Sequence, residues 1–213
     1  RPLPLDPNEP RATGEQVKAL GLKHVVITSV DRDDLADGGA SHFAEVIRQT
    51  REISPGTRIE VLTPDFDGEH QAIETLCAAD PDVMSHNIET VERLTPEIRS
   101  RAKYRRSLDM LAYSKKCLPT RLLKSGLMLG MGETADEVVQ TLKDLFAVGV
   151  RAITIGQYLQ PSKRHLEVAE FVTPEQFEVF KQQAIEIGYT HAFCGPFVRS
   201  SYMAEQVFEN QHQ

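Results

Sequence analysis

A chain of 213 residues with 40% apolar and 26% charged positions has the balance of a globular fold and can bury the core of one domain. A net charge of −7 excludes a protein whose main task is holding nucleic acid, and no apolar run approaches the roughly 18 residues of a membrane span. Cys77, Cys117 and Cys194 are widely spaced and form no C-x-x-C pair, so they point to a reducing compartment without a disulfide framework or a self-contained thiolate metal site.

Residues 1–10 carry four prolines and no periodicity. With residues 11–13 they read as an extended lead-in without a signal-peptide pattern, and the abrupt start fits a piece of something longer. Residues 15–22 form a short amphipathic helix ending at Gly21. The β-branched run 24–30 is expected to be a strand buried on both faces. A charged loop over 31–39 leads to a helix opening with Phe43, Val46 and Ile47. The unit then recurs, with strands at 58–62, 82–87, 122–129, 152–155 and 192–198. Helices at 71–79, 107–117, 135–148 and 174–188 follow the first four of these strands. Thr134 and Glu137 have capping-box spacing, and Thr173-Pro174-Glu175-Gln176 opens the last helix.

The stretch Lys124-Ser125-Gly126-Leu127-Met128-Leu129-Gly130-Met131-Gly132-Glu133-Thr134 reads as a buried strand ending in a glycine turn. Glycine lets something approach the backbone closely there. That is either a ligand at the C-terminal end of a parallel strand or a tight turn with no ligand. Alternating strands and helices imply a parallel sheet. No Gly-rich dinucleotide fingerprint follows the first strand, so the α/β fold is expected to be a partial parallel (β/α) barrel over residues 14–205, with a tail over 206–213. The helix ahead of the first strand should be a crossover from an earlier one, so the first barrel strand is expected upstream of Arg1. Arg32, Asp33, Asp65, Asn87, Glu89, Glu133, Gln157 and Gln160 all fall just after strands, on the face where barrel chemistry is built. His86 reads as a satisfied buried histidine. Asn87 and Glu89 could equally be helix caps, and Ser200 and Ser201 could simply bond local backbone.

Six segments, in order, resemble the lipoyl synthase family. They are Thr28-Ser29-Val30-Asp31-Arg32-Asp33-Asp34-Leu35, Asp37-Gly38-Gly39-Ala40, His86-Asn87-Ile88-Glu89-Thr90-Val91, Lys124-Ser125-Gly126-Leu127-Met128, Gly156-Gln157-Tyr158-Leu159-Gln160-Pro161-Ser162 and Gly195-Pro196-Phe197-Val198-Arg199-Ser200-Ser201-Tyr202. The resemblance implies a radical S-adenosylmethionine (SAM) enzyme on a partial, roughly six-stranded barrel. It implies two [4Fe–4S] clusters, one cleaving SAM and one auxiliary, and insertion of two sulfurs at C6 and C8 of a protein-bound octanoyl group. The implied partners are octanoylated lipoyl carrier proteins (the glycine cleavage H protein and the E2 domains of 2-oxoacid dehydrogenases) and an electron donor. The implied location is the cytoplasm of a bacterium, or a mitochondrion or plastid in a eukaryote.

Carried over by position, Gly38, Gly39 and Ala40 match the segment that meets the methionyl amine of SAM. Asn87 and Glu89 stand where related enzymes reach the ribose and substrate, and Gly130, Gly132 and Glu133 belong to the segment lining the adenine. Lys124 and Arg32 are the looser partners for the SAM carboxylate. Ser201, or Ser200, matches the serine that ligates the auxiliary cluster. The chain departs from the family in lacking both cysteine sets, which are expected upstream of Arg1; the fragment alone is expected to be inactive. A biotin synthase-like sulfur-inserting enzyme and a cluster-less binding barrel are the rival readings.

Overall fold

The computed structural model describes residues 3–99, 101–202 and 204–205. Six strands lie in one sheet in their chain order and all pair in parallel: β1 (His24–Thr28), β2 (Arg58–Leu62), β3 (Val83–Ser85), β4 (Leu122–Leu129), β5 (Ala152–Gln157) and β6 (His191–Cys194). β1 and β6 are the edges, so the sheet is an open, partial barrel. The helices are α1 (Glu9–Ala19), α2 (Ala40–Ile53), α3 (His70–Cys77), the single-turn α4 (Thr95–Ile98), α5 (Tyr104–Cys117), α6 (Ala135–Ala147) and α7 (Pro174–Ile187).

Alternation along each strand sorts the two faces of the sheet. Ile59 and Val61 of β2, Met84 of β3, Leu123 and Leu127 of β4, and Ile153 and Ile155 of β5 join helix residues such as Ile47, Leu76, Leu111 and Leu142 in the main core. Taking each such side chain out of water is worth about 1.5–3 kcal/mol. The other face carries small and polar groups in register, with Ser85 beside Lys124, Lys124 beside Ala152, and Ala152 beside His191.

Local chemistry set several boundaries. Thr134 and Glu137 form the complete capping box of α6, and the Thr173 side chain accepts from the Gln176 N–H at the start of α7. Several expectations change. The strands expected at 24–30, 82–87 and 192–198 are shorter at their C-terminal ends, stopping at Thr28, Ser85 and Cys194. α1 begins at Glu9 rather than at residue 15, because Pro10 occupies the first turn, where its missing N–H costs nothing. β1 is only half-buried along most of its length, because it sits at the sheet edge with β2 as its partner.

Candidate active site at the strand ends

The loops after β1, β2 and β3 frame a cleft of about 470 Å³. Arg32, Asp37, Gly38, Asp65, Phe66 and Arg99 are among the residues that line it. Gly38 and Gly39 adopt φ of 59° and 84°, and Ala40 starts α2. The Asp37 carboxylate accepts from the N–H groups of Gly39 and Ser41 at 3.0 and 2.9 Å, closing the first turn of that helix. A Cβ on Gly38 would stand 3.1 Å from the Phe66 ring, so the glycine turn packs directly on the β2 loop.

Four described non-glycine residues have positive φ: Phe66, Asp67, Asp80 and Glu89. Three of them, all but Asp80, sit in loops that leave the C-terminal ends of β2 and β3. Such backbone costs about 1–3 kcal/mol per residue and gathers where a site demands it. Glu89, at φ 66°, is held by bonds from its N–H to the Gly126 carbonyl and from the Met128 N–H to its own carbonyl, at 3.0 and 2.9 Å. These bonds tie the loop after β3 to β4 and fix where the Glu89 side chain starts.

Burial holds the Glu89 carboxyl above its ordinary range, opposed by the charge of Arg99 and a hydrogen bond with the Asn87 side chain. The Oδ1 atom of Asn87 is buried without a hydrogen-bond partner. A Cβ on Gly126 would come within 2.6 Å of that oxygen, so glycine there is what admits Asn87. An orphaned buried acceptor beside a desolvated carboxyl is costly in an empty protein and useful in one that binds a polar ligand.

The cations divide by partner. Arg32 forms a two-pronged pair with Asp34 at 2.7 Å, and Arg106 pairs with Asp65 at 2.7 Å and Asp67 at 2.8 Å. Arg101 pairs with Asp33. Arg99 instead donates to a neutral group, the Asn87 carbonyl, at 3.2 Å. Nothing in the local sequence marks Arg99; it stands in a run rich in Arg and Lys that reads as solvated surface. Lys124 lies away from the strand end, on the inner face of the sheet. Its Nζ is 2.8 Å from Glu60 Oε1, and both side chains are 1% exposed.

The glycine turn after β4 divides in a similar way. A Cβ on Gly130 would meet Gln157 Nε2 and the Glu170 carbonyl, each at 2.3 Å, so the close approach there is made by the chain itself. Gln157 also donates to the carbonyls of Tyr158 and Glu170 at 3.0 Å, and its Oε1 accepts from Val172 N–H at 2.9 Å. The Glu133 carboxylate accepts from Gly130 and Met131 N–H at 2.6 and 3.0 Å. Gly132, by contrast, faces open space at φ 101°. His86 is buried between the Thr63 carbonyl and the Ser107 hydroxyl at 2.8 and 2.9 Å, and burial lowers its pKa, as suits a neutral core histidine. Ser200 and Ser201 lie in a turn beyond β6, the first half-buried and the second exposed. Just before them, the Val198 carbonyl crosses 2.1 Å from where a Gly156 Cβ would be, so this segment folds over the end of β5.

A model of the radical SAM superfamily matches residues 1–145. The lipoyl synthase of Thiobacillus denitrificans is 56% identical over 206 residues, which are 96% of this chain and 66% of that protein. The lipoyl synthase of Caldicellulosiruptor saccharolyticus is 52% identical over 206 residues, 97% of this chain and 72% of that protein. The chain belongs to the lipoyl synthase family. It spans about two thirds of the length of these curated relatives. The solved structure of Streptococcus suis SuiB bound to S-adenosylmethionine superposes with a TM-score of 0.67 at 9% identity, over 91% of this chain and 44% of that one. That likeness concerns the fold alone.

Membership of the family implies SAM and iron–sulfur clusters, and the residues present fit the two differently. Asn87 with its orphaned oxygen, the desolvated Glu89 and the Arg99 guanidinium at the end of α4 offer an acceptor, a carboxyl and a cation in the one connection that follows β3, which suits SAM. For a cluster there is no such set. Among the described residues no group of three or more His, Cys, Asp or Glu side chains is placed to hold a metal ion. Cys77 and Cys117 close helices on the outside of the barrel, and Cys194 ends β6.

Proposed function

We propose that this chain forms the SAM- and substrate-binding body of a lipoyl synthase, an enzyme inserting two sulfur atoms at C6 and C8 of a protein-bound octanoyl group. The observation that carries this reading is the Asn87–Glu89–Arg99 group at the barrel mouth, set in a chain more than half identical to lipoyl synthases. Within it, Asn87 and Glu89 hold the hydroxyls of the SAM ribose. Arg99 faces the SAM carboxylate, a role that suits it better than Lys124 or Arg32, whose charges are already met by Glu60 and Asp34. Gly38 lines the cleft, with Gly39 and Ala40 next in the chain, and this turn is where the SAM amine would meet backbone.

The clusters, two of them in this reading, take ligands outside the described residues except for Ser201, or failing it Ser200. The partners are octanoylated carrier proteins and an electron donor, and the compartment is the bacterial cytoplasm; among the described residues no helix is long and apolar enough to cross a membrane.

The test is lipoyl formation on an octanoylated H protein by the anaerobically reconstituted intact enzyme, followed by mass spectrometry of the carrier. Wild type should add two sulfurs. Ser201→Ala should still cleave SAM to 5′-deoxyadenosine yet add none. A wild-type enzyme that cleaves SAM and leaves the octanoyl group unchanged refutes the activity. Both serine variants yielding lipoyl product normally refutes the ligand assignment.

A further inference from the structure

We propose that Arg93 is a positioning residue that clips the loop carrying Asn87 and Glu89 to the glycine turn after β4, and so sets the gap between these two walls of the ligand site. The proposal rests on the SAM reading above, in which Asn87 and Glu89 meet the ligand, and adds a residue that acts through them. The loop runs beside β4 and is tied to it twice. Backbone bonds at Glu89 make the first tie, to the Gly126 carbonyl and from the Met128 N–H. Four residues later Arg93 makes the second. Its guanidinium forks onto the Glu137 carboxylate, at 2.7 Å from Nε and 3.0 Å from Nη2, and Nη2 also donates to the Gly132 carbonyl at 2.8 Å.

Neither end of the clip is loose. Val91 and Leu94, on either side of Arg93, are buried in the main core. Glu137 is already held by the capping box of α6, where its carboxylate accepts from the Thr134 N–H at 2.8 Å. Arg93, with that N–H adding to its effect, pulls the Glu137 carboxyl down to about 2. An exposed ion pair usually contributes little, because two long side chains must be ordered to make it. Here the acid is ordered beforehand, and the arginine gains a backbone carbonyl as well. That carbonyl is the link to the site. Glu133 holds the Gly130 and Met131 N–H groups, and the Gly130 carbonyl accepts from the Ala169 N–H at 2.8 Å. Gly132 has open space where a side chain would stand, and a glycine peptide turns easily unless something holds it. Arg93 holds it by the carbonyl.

The experiment compares Arg93→Ala, Arg93→Lys and Asn87→Ala with wild type in the anaerobically reconstituted intact enzyme. The Arg93 side chain is 55% exposed, so Arg93→Ala should melt within about 4 °C of wild type. Its SAM affinity, read by titration calorimetry, should fall about tenfold, as expected of a residue coupled to the site. In ligand-free protein the amides of residues 130–134 should exchange hydrogen faster than in wild type, read by mass spectrometry. Arg93→Lys keeps the charge but not the fork, and should lose affinity too. An Arg93→Lys variant that binds SAM like wild type would reduce Arg93 to a charge and overturn the proposal. Wild-type affinity and amide exchange in Arg93→Ala would overturn it as well. In that case Asn87→Ala separates the two readings: weakened binding there leaves the SAM site standing, and unchanged binding removes it too.

Discussion

Replacing Lys124 by methionine distinguishes a core role for this residue from a ligand role. Its ammonium lies 2.8 Å from Glu60 Oε1 with both side chains 1% exposed, and the His24 ring is 3.4 Å from the other Glu60 oxygen. Methionine keeps the apolar stem and about the same reach but removes the charge, so Glu60 remains buried with one cation fewer. Removing one side of a buried pair costs about 3–5 kcal/mol, because the stranded charge keeps its desolvation penalty. In a chain of this size each kcal/mol lowers the melting temperature by about 2–4 °C, so Lys124→Met should melt roughly 6–20 °C below wild type. The imidazole of His24 beside Glu60 draws the loss toward the smaller end. Adding Glu60→Leu to Lys124→Met removes the stranded carboxylate, and the double variant should recover most of the difference. Circular dichroism melts of the three proteins in one buffer measure this, with titration calorimetry of SAM on the reconstituted enzyme beside them. A single variant that melts with wild type while losing SAM affinity would show that Lys124 serves the ligand and that its bond to Glu60 is incidental.

Two further predictions concern the barrel mouth and the turn after β4. Glu89→Gln should weaken SAM binding by about 1–3 kcal/mol, read by calorimetry, because a charged acceptor for ligand hydroxyls becomes a neutral one. The same change should stabilise the ligand-free protein at neutral pH. A carboxyl held above its ordinary 4.5 in the folded state contributes stability below that pH and loses it as pH rises through the folded-state value, whereas glutamine has nothing to lose. Urea unfolding curves that shift equally for wild type and variant across that window would show that Glu89 is not desolvated. Gly130→Ala should cost about 2–6 kcal/mol, combining positive-φ strain with contacts at 2.3 Å, whereas Gly132→Ala, facing open space, should cost only the strain, about 1–3 kcal/mol. Equal losses for the two would mean that residues 170–172 do not clamp the turn.

How far these features were legible in the sequence follows from the distance over which each is determined. The capping box at Thr134 and Glu137 spans four residues, and the structure forms it as the spacing predicts. The β-branched and apolar runs gave β2 and β4 their limits, because a strand buried on both faces needs no information from elsewhere. The β1 run is of the same kind, but its burial depends on what pairs with its outer edge, and no local pattern carries that. Lys124 is the sharper case. A lysine in an apolar strand reads as a ligand contact or as a side chain reaching for water until its partner is known, and that partner, Glu60, is 64 residues away. Arg99 was hidden for the opposite reason. It lies among surface arginines, and only the fold sets its guanidinium on the Asn87 carbonyl.

Two sets of polar residues in this barrel therefore differ in a way that no motif expresses. Lys124 and Glu60 meet each other's charge inside the sheet, with the His24 ring 3.4 Å from the other Glu60 oxygen. At the strand ends the balance fails. Asn87 Oδ1 is orphaned, Glu89 is desolvated and turned into a left-handed backbone, and Phe66 and Asp67 share that strain on the neighbouring loop. Mutation readily relieves backbone strain, yet three of the four described non-glycine residues with positive φ lie beyond the C-terminal ends of β2 and β3. That strain lies where parallel α/β folds bind ligands, which supports the proposal that Asn87 and Glu89 meet a bound molecule bearing hydroxyl or amine donors. In the same proposal the cleft beside Arg99 takes the other end of the molecule, anionic rather than donor-bearing, and SAM has both.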